Sequence, residues 1–154
     1  KSDGLDSDFS NGIISNSNFS FIEGDALDFS GSKVHINNVH ISEVKDKAIS
    51  VGEESQVTID ESMISKIGVG VASKDGSDVL VSNTFFEKYE LYAIMSYLKK
   101  EFYKMPKIIV KDSSFNSGNS FLRQNNTEMV INNNVIAESI VDVNKLYQTD
   151  TMKK

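Results

Sequence analysis

The chain has 154 residues, a single proline, no cysteine and a formal net charge of −6. That length suits one domain, and the lack of cysteine excludes a disulfide framework. The acidic balance, with no basic stripe, excludes the footprint of a nucleic-acid binder and disfavours anionic membranes, while no apolar run is long enough to insert into a bilayer.

The first predicted strands fall in residues 5–22, and three of their apolar residues start columns that recur down the chain. Ile14 is followed by Ile36, Ile59, Val81, Val110 and Ile131, in steps of 22, 23, 22, 29 and 21. Phe19 is followed by Ile41, Ile64, Phe86, Phe115 and Ile136 in the same five steps. Leu5 is followed by Leu27, Ile49, Val71 and Ala93, each 22 residues on. A fixed period of this size marks a solenoid, in which each repeat buries its apolar face only against its neighbours.

Within a repeat the apolar residues alternate with polar ones. Leu27–Phe29, Val34–Ile36 and Val39–Ile41 are short strands of one repeat; Ile49–Val51, Val57–Ile59 and Ile64 belong to the next, and Val79, Val81 and Phe86 to the one after. Period-two alternation rich in Val, Ile and Phe predicts strands with one buried face. Asn16, Asn38, Glu61, Asn83, Asp112 and Asn133 share one turn position, where Asn and Asp tolerate a left-handed backbone and stacked Asn side chains can bond along the rod. A second turn carries Gly31, Gly52 with Glu53 and Glu54, and Gly76. Between Ala93 and Ile108 the chain takes 15 residues where Val71 to Val79 takes 8, so a loop leaves the coil near 97–106. The strand pattern recurs at Ile140–Val143, and the polar remainder reads as a cap, with Leu146 and Tyr147 folding over the last coil.

The repeated columns, the Asn column and the segments Asp25–Ser30, Asp46–Glu53 and Gly70–Asp75 resemble the right-handed parallel β-helix repeat family, the pectate-lyase-like group. The expected fold is all-β: one right-handed parallel β-helix over 1–154, with coils near 3–24, 25–46, 47–68, 69–90, 91–118 and 119–139 and a cap over 140–154. The chain begins at Lys1 rather than Met, which reads as a segment of a longer protein, with the strand edges of residues 1–9 covered by preceding coils. Handedness follows the family and the general rule for parallel crossovers. The resemblance also implies an extracellular or cell-surface bacterial location.

Three features carry candidate chemistry. Asp6 and Asp28 are one repeat apart and face outward, as do Asp3 and Asp25; the resemblance makes them candidates for a calcium site or an acid–base pair. Lys47 and Ser50 follow in the same columns. Lys74, Glu53 and Asp75 form a charged cluster of the kind that steers a sugar acid or simply pairs on the surface. The loop supplies Tyr97, Lys99, Lys100, Phe102 and Tyr103, aromatics and cations suited to glycan contact. Outward Leu80, Phe85, Ile109, Val130 and Val135 make an apolar stripe. Arg123, the only arginine, lies about four coils from Asp28, roughly 19 Å along the rod. No full catalytic set converges.

The expected function is therefore a non-catalytic β-helix module of a secreted or surface protein, contacting polysaccharide or neighbouring domains or acting as a spacer. The alternatives are part of a polysaccharide lyase, hydrolase or epimerase, and a fibre or adhesin assembly element that oligomerises.

Overall fold

The computed structural model describes residues 2–118 and 120–152, so the expectation for Lys1 lies outside the described residues. Thirteen strands follow one another: β1 (Leu5–Asp8), β2 (Asn11–Ile22), β3 (Leu27–Ser30), β4 (Lys33–Gly52), β5 (Gln56–Asp60), β6 (Met63–Lys74), β7 (Asp78–Ser82), β8 (Phe85–Tyr97), β9 (Lys107–Lys111), β10 (Ser114–Phe115), β11 (Phe121–Arg123), β12 (Glu128–Ile131) and β13 (Asn134–Val135). One short helix, α1 (Val143–Leu146), ends the chain.

The strands stack into a parallel β-solenoid with three ladders. In the first, β1, β3 and the ends of β4, β6 and β8 lead to β11. The second takes the start of β2 and of β4, then β5, β7, β9 and β12. The third takes the rest of β2, the middle of β4, the starts of β6 and β8, and β10. The second ladder stacks Ile14, Ile36, Ile59, Val81, Val110 and Ile131, six coils in the expected register. Leu27, Ile36, Ile41, Ile49, Ile59 and Ile64 are wholly buried, and burying each such side chain contributes about 1.5–3 kcal/mol.

The turn column behaves as its residue types require. Asn16, Asn38, Glu61, Asn83 and Asp112 all take positive φ, between 45° and 51°. The Asn38 amide donates to Asn16 Oδ1 at 2.7 Å, one coil away. Asp60 accepts from Asn83 Nδ2 and Ser82 Oγ, and these hydrogen bonds hold its carboxyl below the usual carboxylate range.

Three expectations are corrected. Val71 pairs with Ile94 rather than Ala93, because a register shift between Ile67 and Val69 against Tyr89 and Tyr92 adds one residue to the coil. Ile136 leaves its column: Asn132 and Asn133 are both left-handed, and the chain reverses so that β13 pairs antiparallel with β12. Phe85 does not share the outward stripe; it stacks with Met63 and Ser114 in the third ladder, while Leu80, Ile109 and Val130 lie in the second.

Candidate functional site

On the outer side of the first ladder three columns stand side by side. One runs Asp25, Lys47, Val69, Tyr92; Asp25 and Lys47 are joined by the Lys47 N–H donating to Asp25 Oδ1 at 3.0 Å. The next runs Asp6, Asp28, Ser50, Ala72, Met95, Leu122. The third runs Asp8, Ser30, Gly52, then Lys74 and Tyr97. The columns turn from polar in the early coils to apolar in the later ones, and that change decides what covers them.

The C-terminal arm covers the apolar part. Val69, Ala72, Met95, Tyr97 and Met152 are buried together, with Leu91, Tyr92, Leu122, Val143, Leu146 and Tyr147 packed around them. Leu146 and Tyr147 were expected to seal the end of the stack. They lie along its flank instead, because the row from Ala72 to Leu122 offers an uncovered apolar strip. The Tyr147 and Tyr97 hydroxyls are 2.8 Å apart, and their rings meet edge to face at 6.3 Å. Burial pushes the Tyr147 phenol up to about 12 and the Tyr97 phenol well above its ordinary value.

At the arm's edge the polar columns form an ion cluster. Lys47 is wholly buried, and its Nζ lies 2.9 Å from Asp25 Oδ1 and 2.6 Å from Asp46 Oδ1. Burial disfavours its charge, but the two carboxylates outweigh that and hold the amine above its ordinary pKa. Burial likewise pushes the Asp25 carboxyl up, and the Lys47 ammonium overrides it, leaving a net lowering. Lys74 is buried too, and burial depresses its amine despite the attraction of Asp28.

The four acidic candidates do not form a calcium cage. Asp3 Oδ1 accepts the Asp25 N–H at 2.7 Å, and Asp25 Oδ1 accepts both the N–H and the ammonium of Lys47. The ammonium thus stands where a cation would have to bind. Only Asp6 and Asp28 stack in the open register first expected of them. No group of three or more His, Cys, Asp or Glu gathers for a metal among the described residues.

The loop candidates divide by exposure. Tyr97 belongs to β8 and is fully buried, so it offers no face to a ligand; Lys74 and Asp75 are buried as well. The excursion itself starts at Leu98 and is clamped. Asp75 Oδ1 accepts the N–H groups of Lys99 and Lys100 at 2.7 and 2.8 Å, and Lys100 Nζ pairs with Glu53. The Leu98 N–H donates to Gln124 Oε1 at 2.6 Å, and Lys99 Nζ sits 4.5 Å from the Tyr147 ring centre. Asp75 and Glu53 therefore hold the loop. Phe102 is 81 % exposed, with its ring 4.5 Å from that of Tyr103.

Sequence reasoning missed Asp46, the second partner of Lys47, and the joint burial of the cluster. It also missed a serine column at the corner between the first two ladders. Ser10 N–H donates to Ser32 Oγ, and Ser32 N–H donates to Ser55 Oγ, each at 3.0 Å. The signal was available, since these serines step by 22 and 23 like the apolar columns.

No protein-family model, curated protein or solved structure is significantly similar to this chain.

Proposed function

We propose that this chain is a non-catalytic β-helix module that contacts carbohydrate through the aromatic pair on its clamped loop, at an extracellular or cell-surface location. The observation that carries this reading is Phe102, exposed beside Tyr103 on a segment pinned at Asp75 and Glu53. A ring held ready loses little freedom on binding, and its electron-rich face suits the C–H face of a sugar. The non-catalytic part rests on Asp25, Asp46 and Lys47, which neutralise one another in a covered place.

A glycan array with the whole chain, repeated for Phe102→Ala and Tyr103→Ala, tests it. The expected result is a glycan whose affinity falls about tenfold or more in Phe102→Ala, about 1.4 kcal/mol. An array without a hit, or a hit indifferent to both substitutions, ends the reading. A second reading, part of a polysaccharide lyase, hydrolase or epimerase, is favoured by one feature: the depressed Lys74 amine near Asp28 is the kind of group that serves as a base. Uronide cleavage that vanishes in Lys74→Met would support it.

A further inference from the structure

The outer side of the second ladder carries a groove of about 750 Å³, away from the loop's aromatic pair. Its floor is one outward column, Ile13, His35, Thr58, Leu80 and Ile109, supplied by successive coils. Lys33, Lys107 and Lys111 line it against a single carboxylate, Asp78, a surplus of two positive charges on a chain whose net charge is −6. Lys33 and Lys107 lie in one column three ladder steps apart, about 14 Å. Lys111 stands at the other end of β9 from Lys107, about 13 Å across the groove. The groove is open along the rod, so a chain-like ligand meets a new row of side chains at every coil.

The geometry points to a second binding site here, for a linear polysaccharide carrying anionic groups. Charge complementarity selects the ligand. Three ammonium groups frame a floor of alternating apolar and hydrogen-bonding residues, while the rest of the molecule repels polyanions. Lys107 also reaches Glu128 at 3.5 Å, an exposed ion pair weak enough to exchange for a ligand anion.

The test is a binding titration with dextran sulfate and with unsubstituted dextran of matched length, at low and high salt. Dextran sulfate is expected to bind, with affinity falling steeply as salt rises, and dextran is not. The triple variant Lys33→Gln, Lys107→Gln, Lys111→Gln is expected to lose at least about tenfold in affinity, and so is the single variant Leu80→Glu, which places a carboxylate on the floor. Lys45→Gln with Lys66→Gln, two exposed lysines paired to Glu23 and Glu43 near another corner, should change nothing. Equal binding of both polymers, no binding of either, or an equal loss in the Lys45 and Lys66 variant would overturn the inference. Because Phe102 lies outside this groove, the outcome is read separately from the glycan-array result.

Discussion

Lys47 is the side chain whose loss should be felt most. Lys47→Met strands two carboxylates, Asp25 and Asp46, beneath Tyr147, and removing one partner of a buried ion pair typically costs about 3–5 kcal/mol. Urea denaturation should show that loss, and adding Asp25→Leu should return part of it. The pH dependence follows from the same residues. Asp25 titrates below its unfolded value near ~3.9, so its contribution is complete above that pH and is lost as pH falls through the folded value. Lys47 titrates above the unfolded amine value near ~10.4, so its contribution is complete below that pH and is lost as pH rises past it. Lys74 acts in the opposite sense. Its depressed amine costs stability while protonated, and that cost fades as pH climbs toward ~10.4. Thermal melting against pH should therefore show an acid decline below about pH 4, shallower in Asp25→Asn, and an alkaline decline above about pH 10. At this scale the sequence placed Lys47 below Asp25 correctly through the 22-residue step. What it concealed was solvent access, because the cover comes from Tyr147, a hundred residues away on an arm with no period of its own.

At the scale of elements, the solenoid is built from tight approaches between coils. A Cβ on Gly70 would run into the Ala93 carbonyl in the adjoining coil, so Gly70→Ala must push two coils apart. It should lower Tm by more than a surface Gly→Ala change such as Gly12→Ala, where nothing lies within 4 Å. The arm is the second load on stability. Met152 is fully buried among Val69, Met95 and Tyr97, and Met152→Ala should cost about 2–5 kcal/mol in denaturant unfolding. Strands and left-handed turns were legible because each coil repeats the same demand on backbone and side chain, as Ile36 above Ile59 and Asn16 above Asn38 show. The slip from Ala93 to Ile94 was not, since an added residue in a bulge leaves the apolar pattern nearly unchanged. The reversal at Asn132–Asn133 was hidden for a related reason: one Asn at that place continues the coil, two left-handed residues in succession turn it back.

At the scale of the whole molecule, each coil touches only those above and below it, so stability should be graded along the rod. Amide exchange should be slowest in β4, β5 and β6, which pair on both sides, and fastest in β1 and β2, whose ladders are paired on one side only. Exchange as fast in β5 as in β1 would contradict that gradient. The two ends differ in kind. At the far end β13 folds antiparallel onto β12, the Ser139 N–H donates to the Arg123 carbonyl, and the Arg123 guanidinium reaches the Thr127 and Ile136 carbonyls at 2.8 and 2.7 Å. That hairpin gives the rod a direction. An in-register strand can dock beside β1 or β2 and continue the winding, whereas one arriving at β12 finds its edge already taken. Any lengthening of this architecture, by duplication or by splicing one coil onto another, therefore has a single permitted junction.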